Sequence, residues 1–121
     1  MTLEITEEQF TQAMRDAVNE RGEDYRYYEH FGWASCRNYS EEEGTMCLVG
    51  LALEKCGVNW SDQPQWIWGC NVDDLDHNTL VHFSNRRLLY AAEEAQRVQD
   101  RGRTWGTALG VYERILAGVG A

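Results

Sequence analysis

Four cysteines and three histidines are the residues of this chain best equipped for chemistry. Cys36, Cys47, Cys56 and Cys70 could supply thiolates for nucleophilic attack or for a soft metal. His30, His77 and His82 could relay protons or bind zinc. The spacing does not organise them. No C-x-x-C pair occurs, so the usual zinc-knuckle and redox spacings are missing, and the seven residues match no closed zinc site. No serine, cysteine or carboxylate stands at a telling distance along the chain from a histidine. Asp73-Asp74-Leu75-Asp76-His77-Asn78 starts like a calcium loop, but Thr79 takes the place of the required glycine and Asn85 that of the closing glutamate. That segment reads as a solvated acidic loop. No glycine-rich phosphate loop follows a strand. The reading therefore holds no catalytic set, no metal site and no cofactor.

Two thiols still stand out. Cys47 falls in the first turn of a helix that starts after Thr45, and a helix N-terminus favours thiolate. Cys36 leads into the same helix. Cys36 and Cys47 are therefore the candidate reactive thiols. The alternative for both is a small apolar group in a dense core. Cys56, next to the helix-stop residue Gly57, reads as core.

The tryptophans form a second group. Trp60, Trp66 and Trp68 lie in an irregular stretch around the only proline, Pro64. Trp and Tyr are enriched where interfaces carry binding energy, so these three and Tyr27 are the candidate partner-binding residues. The alternative is that they close one end of the core.

The elements that must position these groups can be read from periodicity. Thr6 and Gln9 suggest a capping box, with Ile5 and Phe10 as its hydrophobic staple; a helix follows and ends at Gly22. Met46 to Cys56 is apolar nearly all round, which marks a short helix buried on several sides. Asn85 or Ser84 caps a helix from about Arg86 to Arg101, and Thr104 caps a last one with Trp105, Ala108, Tyr112 and Ile115 inward. Asp24–Tyr28 and Phe31–Tyr39 are rich in aromatics and suggest a two-stranded antiparallel ribbon with its turn at Glu29–Gly32. Leu80–Phe83 suggests one more short strand. The expected fold is mostly α (α+β): about four helices around the buried central helix, plus a small antiparallel β-ribbon, in a single domain over residues 1–121.

A chain of 121 residues with 43% hydrophobic and 12% aromatic content can bury a sizeable core. The start, Met-Thr-Leu-Glu-Ile-Thr-Glu-Glu, is neither basic nor apolar, and no apolar run reaches bilayer length. The expected location is the cytoplasm, where the cysteines are reduced. A net charge of −9 argues against direct binding to nucleic acid or to an anionic membrane. It would suit an acidic nucleic-acid mimic only if the acids shared one face. Six arginines, from Arg86 to Arg114, interrupt the C-terminal half.

The order of motifs then becomes informative. Ala17–Tyr27 reads A-V-N-E-R-G-E-D-Y-R-Y, and Cys36–Tyr39 reads C-R-N-Y. Met46–Val58 reads M-C-L-V-G-L-A-L-E-K-C-G-V, and Ala95–Leu109 reads A-Q-R-V-Q-D-R-G-R-T-W-G-T-A-L. This succession resembles a group of small proteins of unknown function encoded by actinobacteria and their phages, mycobacteriophages in particular. The resemblance spans Ala17 to Leu109. Two departures matter: a histidine of the group is Leu51 here, and its Y-V-H stretch is Tyr39-Ser40-Glu41. Any metal or acid–base role of those histidines is lost in this chain. The resemblance implies a phage or actinobacterial origin, inside the bacterial host cell, and brings no activity with it.

The expectation from sequence is a non-enzymatic, phage-type cytosolic protein that binds another protein of host or phage. Homodimerisation through the tryptophan segment stays open. The alternatives are a thiol- or metal-dependent protein using Cys36 and Cys47, and an acidic nucleic-acid mimic.

Overall fold

The computed structural model describes residues 2–31, 37–77 and 80–118. Helix dominates. Four longer helices, α1 (Glu7–Arg21), α3 (Leu48–Lys55), α6 (Arg86–Asp100) and α7 (Trp105–Leu116), are joined by three short ones. These are α2 (Tyr27–Phe31), α4 (Gln65–Trp68) and α5 (Val72–His77). A 3₁₀ turn covers Trp60–Asp62. The mostly α, α+β class expected from periodicity is the class observed.

The caps explain where the long helices begin. Thr6 accepts from the Gln9 N–H, Asn85 from the Leu88 N–H, and Thr104 from the Thr107 N–H. Each satisfies a donor that has no partner within the first turn. The expected capping box is only half made, because the Gln9 side chain reaches across to the Cys56 carbonyl instead. Ile5 and Phe10 are both fully buried, in keeping with a staple.

α3 is the centre. Leu48 through Leu53 are all buried, and α3 packs on α1, α6 and the ribbon. Its cap differs from expectation: Cys47, not Thr45, is the N-cap, and its Sγ accepts from the Gly50 N–H at 3.2 Å. The next N–H, that of Leu48, is satisfied from another helix, by Gln99 Oε1 at 2.8 Å. Gly50 has no side chain because there is no room for one. A Cβ there would stand 2.8 Å from the Asn38 carbonyl oxygen.

The ribbon is present but lies elsewhere. β2 (Tyr39–Ser40) and β3 (Gly44–Thr45) pair antiparallel around Glu41–Glu43, with Gly44 at φ +74°. Asp24–Tyr28, expected as a strand, is irregular and then enters α2. The reason is tertiary. The Glu23 and Tyr25 carbonyls accept from the Gly106 and Trp105 N–H groups at the start of α7, at 2.9 and 2.8 Å. That segment caps a helix, so it cannot also form a ladder, and context overrides β propensity. Most of the other expected strand, Phe31–Tyr39, lies outside the described residues.

A second, parallel pair joins β1 (Leu3–Ile5) to β4 (Val81–Phe83), with Ile5 opposite Phe83. β4 is the short strand expected at Leu80–Phe83. The solvated acidic loop expected at Asp73–Asn78 is instead helical over Val72–His77. Asn71 Oδ1 accepts from the Asp74 N–H, and Val72 and Leu75 are buried.

Candidate functional site

The thiols do not assemble into a reactive centre among the described residues. Cys47 is wholly buried, and its sulfur both caps α3 and donates to Asn38 Oδ1 at 3.2 Å. That is a structural role in a small pocket with Tyr27 and Met46. Cys36 lies outside the described residues. Burial pushes the Cys56 thiol up to about 11, so it stays protonated at neutral pH. Cys70 is half-buried and shifted the same way, first by burial and then by the Asp74 charge. His30 stacks on Tyr25 at 4.4 Å, while His77 and His82 are exposed. Among the described residues, no three histidine, cysteine or acidic side chains are placed to hold a metal ion.

The tryptophan segment gives a clearer geometry, and it corrects three of the four proposed contact residues. Trp60 is 1% exposed, Trp68 5% and Tyr27 3%, so none offers a surface to a partner. Burial follows from their polar atoms finding partners inside. Trp60 Nε1 donates to the Gly50 carbonyl at 3.0 Å, and Trp68 Nε1 to the Trp60 carbonyl at 2.7 Å. The Tyr27 hydroxyl accepts from the Arg37 N–H. With both indole N–H groups satisfied, the rings can be fully desolvated.

Trp66 is the exception, at 60% exposed. It sits in α4, between buried Trp60 and buried Ile67 and Trp68. Asn38, itself 1% exposed, ties this helix down from below. Its N–H donates to the Trp68 carbonyl and its Nδ2 to the Cys70 carbonyl, both at 2.8 Å. Tyr39 adds an edge contact to the Trp68 ring at 4.9 Å. Trp66 therefore stands on a pedestal whose backbone is fixed. A rigid aromatic side chain presented this way loses little conformational entropy on contact. Tyr90 on α6 is the other large exposed aromatic among the described residues.

Next to this pedestal lies a groove that sequence reasoning missed. It has a volume of about 310 Å³ and runs between the start of α5 and the face of α6, lined by Asn71, Asp73, Glu93, Gln96, Arg97 and Asp100. Its electrostatics are acidic. The Glu93 carboxyl is raised above the usual carboxylate range, first by burial and then by the charge of Asp73. Arg97 is drawn to Glu94 in an ion pair. The sequence signal was the absence of any lysine or arginine between Lys55 and Arg86. What that stretch would face depended on α6 packing against α5.

Residues of the motif stretches at Ala17–Tyr27, Met46–Val58 and Ala95–Leu109 converge elsewhere, on the helix junctions. Gln99 Oε1 accepts from both the Leu48 N–H and the Trp105 indole, at 2.8 and 3.0 Å. Arg21 reaches the Thr45 and Met46 carbonyls and lies over the Tyr25 and Trp105 rings. A Cβ on Gly106 would stand 2.9 Å from the Glu23 carbonyl oxygen. These residues lock four segments together rather than form a cleft for a substrate. Another concavity, about 930 Å³, is an open surface along α1 from Thr6 to Asp16, closed by Lys55.

Fold and surface together define a mostly helical domain with one exposed aromatic anchor beside an acidic groove. Comparison with protein-family models, with characterised proteins and with solved structures returns no match. Among the described residues, no helix is long and apolar enough to cross a membrane.

Proposed function

We propose that this chain is a phage-type cytosolic protein of actinobacterial origin that acts by binding another protein, without turnover chemistry, and that Trp66 is the centre of its contact surface. The observation that carries this reading is the 60% exposure of Trp66 on a backbone held by Asn38, Trp60 and Trp68. A folded domain gains nothing in stability from exposing its largest apolar side chain, whereas interface anchors are enriched in tryptophan. The shared motifs support the reading in a different way. Gly50, Gln99, Trp105 and Gly106, all within those motifs, each have an architectural role, which suits a scaffold that presents a surface.

The test is retention of a partner from actinobacterial lysate by the immobilised protein and by Trp66→Ala and Trp66→Phe. One stoichiometric partner should be held by the wild type. Trp66→Ala should lose it, with affinity falling by at least about thirtyfold, as for an interface hot spot. Trp66→Phe should keep part of it, and the melting temperature of all three should agree within about 2 °C, as for exposed sites. A partner held equally by Trp66→Ala would refute the assigned surface. Turnover of a substrate by the pure protein would refute the reading itself.

A further inference from the structure

The groove beside Trp66 narrows the kind of partner, given the protein-binding reading above. Three observations meet there. The first is charge. Asp73 and Glu93 line the groove and stand in no ion pair among the described residues. No lysine or arginine lies between Lys55 and Arg86, the stretch that supplies α4 and α5. Burial, and after it the charge of Asp73, makes Glu93 harder to ionise, while Arg97 on the same wall works the other way. With Asp73, Glu93 and Asp100 against the single Arg97, the lining is negative on balance and suits a cation.

The second is an unfilled donor. Gln96 is 6% exposed, and its Oε1 accepts from the Val72 N–H at 3.3 Å. Its Nε2 has no protein acceptor among the described residues. No fully enclosed side-chain nitrogen or oxygen lacks a partner there, so Nε2 opens onto the groove that Gln96 lines. An occupant of the groove that offers an acceptor can take up this accessible donor of an otherwise buried side chain.

The third is the aromatic. Cys70 Sγ donates to the Trp66 carbonyl at 3.3 Å, and Asn71, the next residue, already lines the groove. An exposed indole attracts guanidinium and ammonium groups as well as apolar surface.

We infer that the α4–α5–α6 surface receives a basic polypeptide segment of another protein. An arginine or lysine side chain of that segment sits between Asp73 and Glu93, a backbone carbonyl accepts from Gln96 Nε2, and an apolar or cationic neighbour packs on Trp66. A polypeptide supplies all three complements at once, which a simple cation does not. Charge also excludes nucleic acid as the occupant. A second copy of this chain, equally acidic, would be repelled from the groove.

Fluorescence anisotropy with labelled peptides of repeated Arg-Leu-Gly units tests this at low and moderate salt. The same peptides with citrulline for arginine keep the shape and remove the charge. The arginine peptide should bind, and weaken as salt rises. Asp73→Asn with Glu93→Gln should weaken it about fivefold to thirtyfold, the span expected for two partly exposed ion pairs. Glu8→Gln with Asp16→Asn removes the same charge from α1 and should change binding less than about twofold, since distant charges are screened. Trp66→Ala should weaken binding independently of salt.

Absence of binding, equal binding of the citrulline peptide, or equal weakening by both charge pairs would overturn the inference. So would a dimer in sedimentation that Trp66→Ala disperses, because the surface would then belong to a second copy. A lysate partner lost with Trp66→Ala but indifferent to Asp73→Asn and Glu93→Gln would leave the protein-binding reading standing and remove only the basic segment.

Discussion

Replacing Gln99 by methionine keeps the side-chain length and removes the amide, whose oxygen joins two helices and whose nitrogen donates to Asp100 Oδ1 at 3.1 Å. Gln99 is 1% exposed. Its Oε1 accepts from the Leu48 N–H at the start of α3 and from the Trp105 indole at the start of α7. Neither donor can turn to water, because Leu48 and Trp105 are both fully buried. Leaving a buried donor without an acceptor costs about 1–3 kcal/mol. Two donors therefore give about 2–6 kcal/mol, and the apolar burial of methionine offsets part of it. The expected loss is about 3–4 kcal/mol, a large share of the roughly 5–15 kcal/mol typical of a domain. Urea unfolding reads it directly. With m of about 1.5 kcal/mol/M, the midpoint should fall by about 2 M with the slope unchanged. Trp105→Phe removes only the indole donor and should cost less. Combined with Gln99→Met, the two losses should fall short of their sum, because they share one bond. A loss below about 1 kcal/mol for Gln99→Met, or strict additivity with Trp105→Phe, would refute the account of Gln99 as the joint between these helices.

Gly50→Ala drives a Cβ to 2.8 Å from the Asn38 carbonyl oxygen, so thermal unfolding should show a loss of about 1–3 kcal/mol. Gly69→Ala meets no atom within 4 Å and should be near neutral. Alkaline pH should also weaken the fold. Burial raises the Cys56 thiol from 9.0 to about 11, so the unfolded chain ionises first as pH rises. The contribution of that neutral thiol is intact below pH about 9 and is lost through pH about 11. Tyr25 and Tyr112, also raised by burial, act in the same direction. Denaturant midpoints across this window should fall less steeply for Cys56→Ala; an unchanged slope would mean that Cys56 does not contribute.

How much of this was legible beforehand depended on the range of the signal. Thr6, Asn85 and Thr104 cap the helices where local spacing placed them, because an N-cap needs only a short polar side chain three residues before a free N–H. The short strand at Val81–Phe83 was visible for the same reason, but its parallel partner Leu3–Ile5 was not, since about 80 residues separate them. Cys47 shows the limit within a single helix. Its sulfur, not the Thr45 hydroxyl, faces the Gly50 N–H, and the choice rests on Arg21 and Asn38 holding the preceding residues.

The tryptophans make the same point for the site. Composition marked Trp60, Trp66 and Trp68 together as large aromatics in an irregular stretch, and could not rank them. Two of them found carbonyl partners in the core, from Gly50 and from Trp60 itself, and so were free to leave water. The third did not. The class of fold, the long helices and the acidic balance were properties of the sequence alone, because propensity, periodicity and charge act over a few residues or sum over all of them. Which aromatic faces outward, where the ribbon lies, and that Asp73 meets Glu93 across a groove were decided only by packing. Each depends on contacts between residues distant in the chain, and no local pattern encodes those.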